Sequence, residues 1–383
     1  MSLETEVRTQ FLRRYHKEPL LITAPGRINL IGEHTDYNEG FVMPAAVDRE
    51  IIFAIGANES DQFNCYSIDY DTAISFPLSE LKAGNQWFNY LMGVVAGFKH
   101  RGLNLNGVDC VLGGNIPTGA GMSSSAALCS GFGFGLNKIF ANNQSRLELA
   151  RIGQQAEHEF AGVRCGIMDQ YASLFGQKDS ALLLDCRSLT HAYVPVNFPD
   201  VQIVLIDTKV KHTLASSAYN DRRAACEEGV AAFRKTNASI HSLRDIGMEN
   251  LEMLRQGVSP DVYTKCRFVV EEIDRTQRAA GFLKSNNVKE FGQLMFKTHW
   301  GLSQAYEVSC AESDFLVKMA QEFPDDVLGA RQMGGGFGGC IIHLIRSEGI
   351  EKYSLKVKEK YVATFKKEPD FYSIALKEGV HLN

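Results

Sequence analysis

Apolar residues recur at helical spacing in several stretches and form short unbroken runs in others, which predicts an alternation of helices and strands. Glu4 to Lys17 reads as an opening helix around Phe11 and Leu12. The strand Leu20-Leu21-Ile22-Thr23-Ala24 follows and is expected to stop at Pro25-Gly26. After a turn at Asn38-Glu39-Gly40, Phe41 to Ala46 and Ile51 to Ile55 read as two strands paired with each other. Trp87, Tyr90, Leu91, Val94, Val95 and Phe98 share one helical face, so a helix from Trp87 to His100 is expected to turn all of them into the core. Val108 to Leu112 suits a buried strand, with helices over Ser125 to Phe140 and Ser145 to Phe160. Gly131, Gly133 and Gly135 inside the first of these cost about 1 kcal/mol each relative to alanine, which close packing against another element would offset.

Ala181 to Asp185 reads as the last strand of a first domain, and Pro195 to Asp200 as a crossing point into a second that opens on the strand Val201 to Ile206. A helix starting at Ser216-Ser217 and continuing to Phe233 is followed by helical patterns over Asp261 to Leu283, Val288 to Leu302 and Ser313 to Glu322. A glycine-rich loop, Met333 to Gly339, runs into the strand Cys340 to Leu344. A helix from Glu351 to Phe365 and a strand from Phe371 to Leu376 end the pattern.

Length fits this division. A chain of 383 residues is long for one core and comfortable for two, so domains over 1–195 and 196–383 are expected, with a cleft between them. A formal net charge of −5 with 22% charged residues and no basic cluster argues against nucleic acid; a small ligand and a monomer are expected. Nine cysteines scattered singly, with no CxxC pair, suggest buried free thiols in a reducing cytoplasm. Glu4 to Lys17 lacks the apolar core of a signal peptide, and no apolar run approaches the roughly 20 residues that span a bilayer, so the Asn58, Asn143 and Asn237 triplets read as chance glycosylation matches.

Chemistry concentrates in a few segments. Asn115-Ile116-Pro117-Thr118-Gly119-Ala120-Gly121-Met122-Ser123-Ser124-Ser125 reads as strand end, glycine turn and helix start. The unpaired N–H groups and dipole of such a helix attract anions, and its serines can cap the helix, meet phosphate or sit on magnesium. A capped Gly-Ser turn is equally a common structural feature, and this one is neither GxxxxGK[ST] nor GxGxxG. Arg27-Ile28-Asn29-Leu30-Ile31-Gly32-Glu33-His34-Thr35-Asp36-Tyr37 gathers acidic, basic and imidazole groups among apolar ones, which suits a ligand rich in hydroxyls or a surface cluster of ion pairs. Glu157 reads either as a solvated helix residue or as a magnesium ligand. Asp169, after Gly166, is placed to cap a helix, and Tyr219 is a packed aromatic or a hydroxyl offered to the cleft. Five glycines between 334 and 339 fit backbone lying against a ligand or another loop better than a linker.

Gly26 to Tyr37, Pro117 to Ala127 and Met333 to Gly339, in that order, resemble the signature, nucleotide loop and third motif of the galactokinases, a branch of the GHMP family of small-molecule kinases. Ile28, Met122 and Ala127 depart from the usual pattern without removing a functional group. The resemblance implies an α+β fold with a ribosomal-protein-S5-domain-2-like first domain and a ferredoxin-like second one. It implies transfer of the γ-phosphoryl group of MgATP to the 1-hydroxyl of α-D-galactose, the first step of galactose breakdown. By matching positions, Glu33, His34, Thr35, Asp36, Gly166, Asp169 and Tyr219 would hold the sugar, and Gly119, Ala120, Gly121, Met122, Ser123, Ser124 and Ser125 would cradle the phosphates. Ser125 and Glu157 would ligate Mg2+, Asp169 would be the base, and Arg27 would stabilise transition-state charge. Two alternatives are a kinase for N-acetylgalactosamine and a non-catalytic sensor of galactose and ATP that binds a regulatory protein.

Overall fold

Pro25 and Gly26 do not end the first strand of the computed structural model, which describes residues 1–210 and 215–383 and, for 215–217, the backbone alone. Strand β1 runs Leu20–Asn29, and its register shifts between Pro25 and Arg27. A bulge of this kind leaves one residue unpaired and lets the chain continue, so the missing proline donor costs little. A Cβ on Gly26 would lie 2.6 Å from the Met122 carbonyl oxygen, so glycine is what admits the backbone of the later loop here.

The remaining strands are, in chain order, β2 (Phe41–Val42), β3 (Pro44–Ala57), β4 (Gln62–Ser67), β5 (Thr72–Pro77), β6 (Val108–Gly114), β7 (Ser180–Asp185), β8 (Thr190–Pro195), β9 (Val201–Asp207), β10 (Val327–Gln332), β11 (Cys340–Arg346), β12 (Asp370–Ile374) and β13 (His381–Leu382). They form a six-stranded sheet β13-β1-β3-β6-β4-β5, a four-stranded sheet β10-β11-β9-β12 and a three-stranded sheet β2-β7-β8. The expected pairing of Phe41–Ala46 with Ile51–Ile55 is therefore wrong. Phe41 pairs with Asp185, while Pro44–Ala57 is one strand between β1 and β6. Val47 to Arg49 lie opposite the bulge, between the pairs Glu50↔Pro25 and Ala46↔Arg27. Nor is Ala181–Asp185 the last strand before the crossing at Pro195 to Asp200, because β8 follows and pairs with it as a hairpin.

Alternation along β3 separates two cores. Ile52 and Ala54 face Val7 and Phe11 of the helix Leu3–Tyr15, and Phe53 and Ile55 face the helices on the other side. Helix Ser124–Ile139 lies against that second face, where a Cβ on Gly131 would come within 2.3 Å of the Phe53 ring and one on Gly135 within 3.1 Å of Ile22. The expected close packing holds at these two glycines; at Gly133 the space is ordinary, 3.5 Å to Val94. In the antiparallel four-stranded sheet, Val204, Ile206 and Ile341 pack on Leu316, Tyr353 and Val357. The opposite face shares one core with the first half of the chain, Ile28, Leu30, Met43 and Ala45 meeting Leu205, Met295 and Ile342. That shared core fixes the two halves around a cleft.

Candidate active site

The bulge carries Arg27 to the mouth of this cleft. Its Nε and one terminal nitrogen donate to the two oxygens of Asp169 at 2.7 Å each, and the other terminal nitrogen donates to the Gly121 carbonyl at 2.6 Å. Burial works against the Arg27 charge, but Asp169 beside it outweighs this and raises its pKa. Asp169 is not the helix cap expected: helix Met168–Phe175 has Ile167 at its N-cap, and Asp169 stands in the first turn with its carboxylate held by Arg27 and by the Ser123 hydroxyl.

The serine run is organised by carboxylates. Ser123 adopts a left-handed φ of 53° and donates to Asp169 instead of capping the helix that starts at Ser124. Ser125 donates to Glu157 Oε1 at 3.0 Å, and Gln170 donates to the same oxygen at 2.9 Å. The first amides of helix Ser124–Ile139 thus receive no cap from the Ser123 side chain, the condition for an anion site. The glycine-rich loop faces this turn, with Cys340 N–H donating to the Ala120 carbonyl at 3.3 Å.

Arg27, Glu33, His34, Asp36, Gly119, Gly121, Met122, Ser123, Ser124, Ser125, Glu157, Gly166, Asp169, Tyr219 and Gly334 to Gly336 line one cavity of about 410 Å³. Two anticipated residues do not. Ala120 is fully buried, and Thr35 is buried with its hydroxyl committed to the Gly32 and Phe41 carbonyls at 3.0 and 2.6 Å. Thr35 therefore shapes the loop and has no donor left over. His34 lies between aromatic rings, with its Nδ1 2.7 Å from the Tyr37 hydroxyl, which in turn sits 2.8 Å from that of Tyr306. Burial first and Arg222 second lower its pKa to about 3, so it is a neutral hydrogen-bonding group at pH 7.

Four carboxylates face this cavity. Glu33 and Asp169 each touch an arginine, Arg331 and Arg27. Asp36 and Glu157 are pushed up to about 7, by burial first and then by the charge of Asp169. Such a wall suits hydroxyl donors and a hard cation, and it would repel phosphates arriving without one. Among the described residues no three His, Cys, Asp or Glu side chains form a metal site by themselves. The oxygen pair of Ser125 and Glu157 fits a magnesium ion that takes its other ligands from phosphate and water.

A second cavity of about 560 Å³ shares Pro117, Ser124 and Ser125 with the first and is walled by Ile51, Tyr70, Trp87, Tyr90, Leu112 and Leu128. Trp87 precedes the helix Asn89–His100 and stacks near Tyr70, ring centroids 5.9 Å apart at 20°. Half-buried, it packs against the first core as expected and walls this cavity as well. Arg331 was missed, though a lone arginine in an apolar strand, three residues before the first glycine of the run, was a visible signal.

Comparison with known proteins matches the same regions. Residues 9–57 match the galactokinase galactose-binding signature, 89–177 the GHMP kinases N terminal domain, and 279–363 the GHMP kinases C terminal model. The chain is 38% identical to the galactokinase of Thermosipho africanus over 359 residues, covering 94% of this chain and 98% of that one. It is 36% identical to the galactokinase of Clostridium acetobutylicum over 383 residues, covering 98% and 97%. The crystal structure of Lactococcus lactis galactokinase complexed with galactose superimposes with a TM-score of 0.95 at 33% identity, over 99% of this chain and 100% of that one. Methanococcus jannaschii mevalonate kinase, at 17% identity and a TM-score of 0.65 over 94% and 99% of the chains, shares the fold.

Proposed function

The chain belongs to the galactokinases of the GHMP kinase family, and from that premise we propose that its cleft passes the γ-phosphoryl group of MgATP to the C1 hydroxyl of α-D-galactose, giving galactose 1-phosphate and ADP. One observation carries the reading: the Arg27–Asp169 pair, the uncapped serine helix and the Glu33, His34, Asp36 group line a single cavity. Nucleotide phosphates approach the amides after Gly121, and the cavity beside Trp87, Tyr90 and Leu128 receives the adenine ring by stacking. Galactose lies on the other side, its hydroxyls donating to Glu33 and Asp36 and meeting His34 and Tyr219.

Phosphoryl transfer proceeds through a loose transition state, so positioning and charge outweigh early proton removal. Asp169 orients the attacking hydroxyl and takes its proton, while Arg27 holds that carboxylate bidentately and places positive charge beside the phosphate turn. Ser125 and Glu157 would hold Mg2+, which would supply positive charge to offset that of the phosphates. The lobes divide between β8 and β9, and one chain supplies every group named, so a monomer suffices. No helix among the described residues is long and apolar enough to cross a membrane, and nine free cysteines suit the reducing cytoplasm in which we place the enzyme.

No observation favours an N-acetylgalactosamine kinase or a silent sensor. ADP release by the purified chain with MgATP and galactose, against N-acetylgalactosamine and against no sugar, tests the proposal. Release no faster with galactose than without sugar would refute it.

A further inference from the structure

Glu33 lines the cleft, yet the groups that fix its carboxylate come from the second half of the chain. Arg331, in β10, is fully buried. Its Nε donates to the Leu30 carbonyl at 2.9 Å, one terminal nitrogen donates to the Gln332 carbonyl at 2.7 Å, and the other donates both to the Asn29 carbonyl and to Glu33 Oε1, the latter at 2.9 Å. The same carboxylate oxygen accepts the Gly334 N–H at 2.8 Å, so Oε2 is the oxygen left for a ligand. One residue earlier, the Gly32 N–H donates to Glu272 Oε1 at 2.9 Å. Glu272, in helix Pro260–Lys284, is buried and held in turn by the Thr298 hydroxyl and by Arg275. The segment Gly32-Glu33 is thus suspended between a buried cation and a buried anion of the second lobe. Neither of these two lines the cavity.

Stability alone is a poor reason for such groups, since replacing a buried ion pair by apolar packing is often neutral or favourable. Geometry supplies a better one. A guanidinium fork can grip two carbonyls and a carboxylate at once, which fixes the Glu33 side chain relative to its own backbone; a lysine ammonium is a point charge that cannot. We propose that Arg331 and Glu272 are positioning residues for galactose, acting through Glu33 and Gly32 from the far lobe so that the sugar half of the site has its working geometry only when the lobes are docked. The inference rests on Glu33 being a sugar ligand.

The test compares Arg331→Lys, Arg331→Met, Glu272→Gln and Glu33→Gln, each checked for native secondary structure and cooperative unfolding, by KM for galactose and for ATP measured separately. Misplacing a binding group by about 1 Å can cost roughly 10²-fold, so galactose KM should rise by about 10-fold to 10²-fold in the Arg331 and Glu272 variants. ATP KM should stay within about twofold, a split that general loosening of the protein would not produce. Adding Arg331→Met to Glu33→Gln should raise galactose KM by no more than about twofold further, because both act through one carboxylate. If the methionine variant does not fold, the lysine variant decides. A folded Arg331→Lys enzyme with wild-type galactose KM, or with both KM values raised together, overturns the proposal while leaving Glu33 as a ligand. An unchanged galactose KM in Glu33→Gln overturns the ligand assignment of Glu33 and this proposal with it.

Discussion

Gly166→Ala isolates the placement of one sugar-side carboxylate. Gly166 is buried, and its φ is not among the positive values that only glycine readily adopts, so the backbone itself tolerates alanine. The added Cβ, however, would stand 1.9 Å from Asp36 Oδ2, 2.2 Å from Cγ and 2.8 Å from Cβ. Cβ atoms do not approach non-bonded heavy atoms closer than 3.0 Å, so Oδ2 and the new methyl must move apart by at least 3.0 − 1.9 = 1.1 Å. Rotating the carboxylate does not suffice, because Cγ and Cβ are too close as well, and aspartate has no longer stem to bend. A displacement of this size corresponds to roughly 10²-fold, or about 2.7 kcal/mol, in a positioned group. Steady-state kinetics should show galactose KM raised by about that factor, with ATP KM little changed. Asp36→Ala in the Gly166→Ala background should add little, since the same contact is already lost. A folded Gly166→Ala enzyme with ordinary galactose KM, or full additivity of the two substitutions, would refute the reasoning.

Other substitutions separate chemistry from binding. Asp169→Asn should lower kcat by roughly 10²–10⁴-fold while ATP affinity, read by calorimetry, is spared; wild-type-like turnover would remove Asp169 from the reaction. Arg27→Ala should act mainly on kcat, toward the roughly 10³–10⁵-fold scale of an arginine at a transferring phosphoryl group, and a pure KM effect would make it a ground-state binder. Trp87→Ala should cost about 1–3 kcal/mol of nucleotide affinity if it stacks on the base, leaving galactose KM unaltered; an unchanged ATP dissociation constant would move the adenine elsewhere. Asp36 and Glu157 carry pKa values of about 7 in the fold, above their ordinary range. A carboxyl raised on folding stabilises the protein in its protonated form, so that contribution is complete below about pH 4 and is lost as pH rises through about 7. Thermal unfolding of ligand-free protein between about pH 5 and about pH 8 should therefore show a steeper loss with rising pH in the wild type than in Asp36→Asn; parallel curves would contradict the burial argument.

What was legible in the sequence was either periodic or local. The helices over 146–160, 260–284 and 350–365 announced themselves by spacing, and the glycine, serine and acidic segments could be read as chemistry because their residue types are costly anywhere else. Long-range arrangement was not legible. A proline in an apolar run ordinarily ends a strand, and only the approach of the Met122 backbone against Gly26 shows why this one bulges instead. The hairpin of β4 and β5 hides in polar residues such as Gln62, Asn64 and Ser75, which suit its exposed side, and the expected cap at Asp169 missed an arginine 142 positions away.

The pairing of β13 with β1 sets an order of events in biosynthesis. Ile22 and Thr23 pair with Leu382 and His381, far along the sequence, and the Thr23 hydroxyl meets the Asn383 side chain across 360 positions. At roughly 5–20 residues per second on a ribosome, that partner emerges about 20–70 s after β1 does. Throughout that interval the outer rim of the first sheet offers unpaired backbone to any passing extended segment. A nascent chain of this kind is therefore prone to sticking to its neighbours until residues 381–382 emerge, and slowing synthesis ahead of them should lengthen its dependence on chaperones.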